Sequence, residues 1–452
     1  MNLLYRCCAG LDVHRDSVSV CVRRRAHEAT EVAVEEAVFG TFTQDLERLR
    51  EWLKEREVRQ VVMESTGVYW IPVWNVLEDE GDFTLALVNP ATVRALQGRK
   101  TDRMDARRLA EYLQYGLLRE SFIPAKAIRQ LRDLTRLRVH VQQDRNRAIN
   151  RIAGLLETVN IKLASVASNI VGKSGMAMLR LIASGVTDPE ELAEQARRKL
   201  RAKIPELILA LDGRPNAHFR WMLEALLRKL DWLDEELARV EAQISERALP
   251  YADLLHRLSA IPGVDQTTAV ALIAEFGVDM SQFPTPGRLA SWAGLCPGNA
   301  ESAGKRLSGR TRKGDRYVRR LLIQSAWAAA RTEGCFLAAL FFRIAQRRGL
   351  KKAAVAVAHR IALIAWHIIA EGAEYHEHGG DYFDRHHPER TARKLTRRLR
   401  NIGYEVTLVR HKQPVGLKPT VDPSECRKCA RWGLPRCIHL LKHKGRSPAM
   451  ET

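Results

Sequence analysis

The chain has 452 residues, room for two to four domains at roughly 100–200 residues each, and carries a net charge of +20 with a pI of about 9.9. The basic excess is spread along the chain, which excludes mere solubilising charge as its whole explanation and points to a polyanion, nucleic acid before a membrane surface. No signal peptide is expected, and the longest apolar run, 353–370, contains His359, Arg360 and His367, which argues against a membrane span; the chain reads as cytoplasmic, with its eight cysteines reduced or bound to metal.

In chain order, 5–13 and 17–25 read as two β-rich runs joined by a turn at His14-Arg15-Asp16, and 30–41 as a third, alternating run. Residues 43–57 have amphipathic helical spacing, 58–63 read as a buried strand on the apolar residues Val58, Val61, Val62 and Met63, and 69–81 as a helix with Pro72 in its first turn. Residues 83–88 are another buried strand, ended by Asn89-Pro90. Strands first, then alternating helices and strands, predict an α/β domain with a mixed sheet over 1–118. A further helix opens within 100–110: Thr101 and Asp102 are cap-type residues, and Ala106, Leu109, Ala110 and Leu113 share one face.

After Pro124 the texture is helical. Residues 125–162 predict one long arginine-rich helix, and 215–247 a second with leucines in near-heptad spacing. An antiparallel coiled-coil arm, a dimerisation element and an ordinary bundle all fit, so 119–248 is expected to be a helical region. An all-α domain is expected over 249–375. In it, Ile261-Pro262-Gly263-Val264 between two helical runs predicts a helix-hairpin-helix, with backbone N–H groups around Pro262 and Gly263 available to phosphates. Residues 289–315 form a long glycine-rich basic loop in which Lys305, Arg306, Arg310, Arg312 and Lys313 suit phosphate contacts. The extension 376–452 is expected to hold a basic helix at 388–401, a strand at 404–409 and surface histidines at 376, 378, 386 and 387. Its Cys426, Cys429, Cys437, His439 and His443 offer enough ligands for one tetrahedral Zn²⁺.

The acids carry the chemistry. Asp12 ends the first strand, Glu64 follows the 58–63 strand, and Asp102 and Asp105 stand three apart on one helix face. In a sheet of ribonuclease-H type the first and fourth strands are parallel neighbours, which sets Asp12 beside Glu64. The helix carrying the other two acids can pack on the same strand ends. Converging carboxylates repel unless a cation lies between them, and hard oxygen ligands suit Mg²⁺ or Mn²⁺. Two such ions, about 3.5–4 Å apart, clamp the attacking and leaving oxygens of a phosphoryl transfer. Lys100, Arg103 and Arg107 surround these acids, as an anionic substrate would require.

Five spaced motifs make the chain resemble the DEDD insertion-sequence transposases of the IS110 family: Gly10-Leu11-Asp12-Val13-His14, Glu64-Ser65-Thr66-Gly67, Lys100 to Ala106, Ile261 to Val264, and the Trp292 to Lys313 block. The resemblance covers residues 1 to about 375. It implies a RuvC-like domain followed by a second transposase domain, with Asp12, Glu64, Asp102 and Asp105 as the metal-binding tetrad. It also implies a nucleophilic serine, which maps onto Ser302, with Ser308 as the competing position. The implied reaction is Mg²⁺-assisted strand exchange on duplex DNA, at element ends and target, through a phosphoserine. A guide RNA encoded beside the gene, and a homodimer or homotetramer, are implied with it. Two other readings stay open: a hydrolytic RuvC-like structure-specific endonuclease, and a catalytically inactive nucleic-acid-binding protein.

Overall fold

The computed structural model describes residues 3–25, 31–64, 67–90, 105–298, 300–302 and 305–409, with backbone alone at Asp105, 300–302 and 305–307. The chain divides into two compact units, Met1–Ile123 and Pro124–Thr452.

The first unit is built on a five-stranded mixed sheet. Strands β1 (Cys7–Val13), β2 (Val18–Arg24) and β3 (Ala33–Phe39) form an antiparallel meander. Strands β4 (Gln60–Glu64) and β5 (Thr84–Val88) add on the other side of β1, parallel to it, giving the order β3-β2-β1-β4-β5. The central strand is apolar from Cys7 to Leu11 because both its faces are covered. Ala9, Leu11 and Val13 share a core with Val61 and Met63. Leu46, Leu49 and Leu53 of helix α1 (Thr43–Glu55) and Val73, Trp74 and Leu77 of helix α2 (Trp70–Glu78) complete that core. On the opposite face Cys8 and Val62 pack against Leu109 and Leu113 of helix α3 (Asp105–Gln114).

In the second unit, helices α4 (Lys126–Glu157) and α9 (Ala217–Ala248) run antiparallel. Arg138 pairs with Glu241, Arg145 with Asp234, and Gln130 with Arg247, so early residues of one meet late residues of the other. Between them in sequence lie α5 (Leu163–Val166), α6 (Lys173–Ser184), α7 (Pro189–Ala193) and α8 (Ile204–Leu211). These bury Met178, Leu179, Ile182 and Leu207 against Ile152, Leu156 and Leu223. The long helices are thus an antiparallel pair with one half embedded in a bundle. The helix expected to reach residue 162 stops at Glu157, because Asn160 takes a left-handed turn (φ 61°) and Ile161 and Leu163 fold back into the core.

Helices α10 (Ala252–Ser259), α11 (Gln266–Phe276), α12 (Pro286–Trp292), α13 (Arg316–Ala329), α14 (Phe336–Arg348) and α15 (Leu350–Glu371) follow, then α16 (Tyr382–His386) and α17 (Pro388–Asn401). Among the described residues α15 alone is long and apolar enough to cross a membrane, by length and composition only. Most of it is buried in the protein, and Trp366 at its end donates Nε1–H to the Phe283 carbonyl at 2.7 Å.

Three expectations are corrected. The region 249–375 is not purely helical: β6 (Ala300–Ser302) and β7 (Lys305–Ser308) form a two-stranded sheet. Strands of three and four residues are too short to print a period on a glycine-rich sequence. Residues 404–409 join no sheet; Tyr404, Leu408 and Val409 are exposed, with no described strand to pair with. His376 and His378 are half-buried rather than on the surface, with the His378 ring edge-on to Phe336 and near Tyr382.

Candidate active site

Asp12 and Glu64 meet through strand register. The parallel pairing of β1 with β4 sets Gly10 beside Val62 and Leu11 beside Met63, and one step further brings Asp12 to Glu64 at the ends of both strands. Side chains alternate along a strand, so Asp12 shares the face of Cys8 and Gly10, and Glu64 that of Val62. That is the face covered by α3.

Helix α3 runs against the strand direction. The Cys8 thiol donates to the Ala110 carbonyl at 3.4 Å, while Gly10 lies beneath Ala106 and Ala110. Two residues on, Asp12 therefore lies toward the N-terminal end of the helix. A Cβ on Gly10 would stand 2.3 Å from the Ala106 carbonyl oxygen and 2.4 Å from the Ala110 nitrogen, both backbone atoms that cannot rotate away. Gly10 is the device that lets the helix close on the acidic strand ends. Gly10→Ala is expected to lower stability by about 1–3 kcal/mol through overpacking. Urea denaturation checks this, and an unchanged midpoint would remove the close contact from the account.

Asp12 and Glu64 thus share the sheet face that α3 covers. Asp12 is largely sheltered, its side chain 13% exposed, and its Oδ2 accepts from His14 Nε2 at 3.0 Å. Asp12 and Glu64 are residues that could hold a hard cation, and the adjacent thiols are not. Burial pushes Cys8 up to about 12 and Cys21 to about 11, so both stay neutral. Among the described residues no three His, Cys, Asp or Glu side chains form a metal-sized cluster. Asp102, Lys100 and Arg103 lie outside the described residues, as do Cys426, Cys429, Cys437, His439 and His443 of the candidate zinc set. Arg107 is exposed on α3.

Within the second unit the basic loop is a clamped hairpin. At its base Gly314 sits against Gly294, where a Cβ would stand 2.3 Å from the Gly294 nitrogen. Gly298 N–H donates to the Arg310 carbonyl at 2.8 Å, and Pro297 bridges to Thr311. Above this, β6 and β7 pair with Ser302 opposite Lys305 and Glu301 opposite Arg306, and a bulge lies at Ala300. Ser302 is thus at the far end of the hairpin. Ser308 is at its root, where its Oγ accepts from the Arg310 N–H at 3.2 Å. Arg310, Arg312 and Lys313 are exposed along the returning limb.

A buried ion network holds the loop's exit. Glu275, 2% exposed at the end of α11, takes both arms of the Arg136 guanidinium at 2.8 Å. The same guanidinium reaches Asp315 at 3.2 Å and lies over the Tyr317 ring. Asp315 in turn caps α13 through the Tyr317 and Val318 N–H groups. Arg132 donates to the Ala274 and Glu275 carbonyls. Burial pushes the Glu275 carboxyl upward, and the guanidiniums of Arg136 and Arg132 pull against that shift. Glu275→Ala strips the counter-charge from two half-buried arginines and is expected to cost about 3–5 kcal/mol, read as a fall in the urea midpoint. Glu275→Gln, which keeps the shape and the acceptor oxygen, is expected to cost less. A loss under about 1 kcal/mol for the alanine variant would show that Arg136 finds another partner.

Between α10 and α11 the chain turns at Pro262-Gly263, with Gly263 at φ 84°. A Cβ there would stand 2.2 Å from the Ser325 carbonyl of α13, so the turn is seated on that helix. Asp265 caps α11 by accepting from the Thr268 N–H at 2.8 Å. A cavity of about 580 Å³ opens beside the turn, between Pro262, Gly263, Thr268 and α13.

The sequence reading missed His14 and the Arg136–Glu275–Asp315 network. His14 stood two residues from Asp12 in a visible turn. Glu275 was a lone acid in the otherwise apolar run Ala271-Leu272-Ile273-Ala274-Glu275-Phe276, which is itself a signal that a buried cation must be near.

Two transposase family models match the chain. One, described as transposase and of the DEDD IS110 type, matches residues 9–161, and the other, described as the transposase IS116/IS110/IS902 family, matches 255–340. A probable family 20 transposase of Pseudomonas aeruginosa is 27% identical over 342 residues, covering 73% of this chain and 89% of the relative. A transposase for insertion sequence element IS1111A of Coxiella burnetii is 27% identical over 300 residues, covering 64% and 72%. An insertion element IS900 protein of Mycobacterium paratuberculosis is 27% identical over 303 residues, covering 61% and 73%.

Proposed function

The chain belongs to the IS110 family of insertion-sequence transposases, and from that premise we propose that it exchanges DNA strands through a covalent phosphoserine at Ser302. The observation that carries this reading is the register of β1 with β4, which sets Asp12 beside Glu64 under the start of α3. The strand order supports a sheet of ribonuclease-H or RuvC type, and the two carboxylates with Asp102 and Asp105 make an oxygen-only donor set for Mg²⁺ or Mn²⁺. A bound divalent ion supplies Lewis-acid charge to the phosphoryl oxygens.

The remaining chemistry belongs to the chain. The Ser302 hydroxyl attacks a DNA phosphorus, the Oγ–P bond forms, and the P–O bond to the departing strand breaks. The serine proton leaves to a base and the departing oxygen takes one up. One phosphate ester replaces another, so the bond energy is kept and a second strand's hydroxyl can reverse the step without an added energy source. Arg310, Arg312 and Lys313, with Lys305 and Arg306, neutralise the phosphates flanking the cut. The turn at Pro262-Gly263 is read as the helix-hairpin-helix that holds duplex backbone away from the cut. A guide RNA supplies sequence choice by pairing, a homodimer or homotetramer supplies enough sites to cut several strands, and the protein acts in the cytoplasm.

The test incubates the protein with duplexes carrying element end and target, RNA transcribed from the element, and Mg²⁺, then denatures the mixture. DNA retained on the protein supports the proposal. Free nicked ends without linkage would instead favour a hydrolytic nuclease, and no cleavage at all an inactive binding protein.

A further inference from the structure

The segment between the two family matches, residues 162–254, contains a cationic cavity of about 630 Å³. Lys173 and Ser174 at the start of α6 form one wall, and Arg197, Arg198, Lys199 and Lys203 form the other. The Ser174 hydroxyl ties the walls together by accepting from the Arg197 N–H at 3.0 Å. Both walls rest on a packed core of Ile170, Met178, Leu192 and Ala196, so the concavity is built into the bundle.

Charge decides what the cavity is for. Five cations converge on it, all exposed, and no carboxylate lines it. Nearby Arg201 is paired with Glu194, but none of the five forms an ion pair with a described residue. Cations gathered without internal partners raise each other's energy and attract a polyanion. The volume falls within the roughly 300–1,000 Å³ of clefts that take a compact ligand, and no aromatic side chain lines it for base stacking. Phosphates rather than bases are the groups it can read. A concavity, in contrast to a broad basic face, suits a strand free to bend its backbone inward.

We propose that this cavity is a nucleic-acid site separate from the strand-exchange residues, and that it holds the sugar–phosphate backbone of a single-stranded segment. The proposal concerns binding only, so it stands or falls independently of the phosphoserine reading.

The test uses the full chain carrying Lys173→Ala, Lys199→Ala and Lys203→Ala together. Its probes are fluorescein-labelled single-stranded RNA and DNA of about 20 nucleotides, and duplex DNA of equal length. At about 0.1 M salt the variant is expected to bind a single strand at least tenfold more weakly, with a log–log salt slope shallower by about 2, three contacts at ~0.7 each. Duplex affinity is expected to stay within about threefold, and the charge-keeping triple Lys→Arg variant to restore single-strand binding. Loss on RNA alone or DNA alone supports the site and names the strand. Acetylation footprinting of the unaltered protein gives the same answer without a variant, since a bound single strand is expected to protect Lys173, Lys199 and Lys203. Unchanged single-strand affinity and slope, an equal loss on duplex, or unprotected lysines would overturn the proposal.

Discussion

Ser302→Ala is expected to abolish the protein–DNA adduct, with strand exchange falling on the order of a thousandfold or more while DNA binding stays within about threefold. The argument rests on what alanine lacks. It keeps the backbone pairing of Ser302 with Lys305 at the end of the hairpin and removes only the oxygen that the proposed reaction bonds to phosphorus. The competing serine, Ser308, stands at the other end of the ladder, opposite Ala300. Ser308 already spends its oxygen on the Arg310 N–H. Ser308→Ala is therefore expected to cost about 0.5–1.5 kcal/mol of local order and to leave the adduct in place. Denaturing gels of radiolabelled DNA separate the two outcomes. A Ser302→Ala protein that still retains labelled DNA would transfer the nucleophile's role elsewhere.

Asp12→Asn and Glu64→Gln are expected to reduce strand cleavage about a thousandfold or more, a barrier change of about 4 kcal/mol, with nucleic-acid affinity held within about threefold. Each substitution is nearly isosteric, so the strand ends and the cover of α3 over Gly10 survive. What changes is one negative charge at a place where two carboxylates share a face. In the proposed site an amide would hold a divalent ion far less well than a carboxylate, while contacts to the substrate would be kept. Asp102→Ala and Asp105→Ala are expected to behave alike. Cleavage titrated against Mg²⁺ and Mn²⁺, alongside a binding isotherm, makes the comparison. Binding lost in parallel with activity would show that these acids support the fold and hold no ion.

Much of this was legible in the sequence, for physical reasons. Val61-Val62-Met63 was legible as a buried strand because β4 is covered on both faces, and Val61 and Val62 point into different cores. Asp12 and Glu64 stood out as charges placed directly after such runs, where a strand leaves its cover. The two long helices announced themselves by length and leucine spacing. Their antiparallel pairing was one of three arrangements that fitted, and the choice depends on partners such as Arg145 and Asp234 that lie 89 residues apart. The hairpin carrying Ser302 was read as a loop, since its ladder is held by clamps at Gly294 and Gly314 that no local pattern reveals. The Arg136–Glu275 pair was invisible for the same reason: a salt bridge across 139 positions has no sequence signature beyond an acid stranded among apolar residues.

The most direct measurement is the identity of the amino acid bonded to DNA. The Mg²⁺-dependent reaction would be denatured, digested with nuclease and protease, and read by mass spectrometry. The account predicts one nucleotide-bearing peptide, modified on Ser302, absent when the metal is chelated and absent from Asp12→Asn. A linkage at Ser308 or at another residue, or cleaved DNA with no linked peptide, would contradict it.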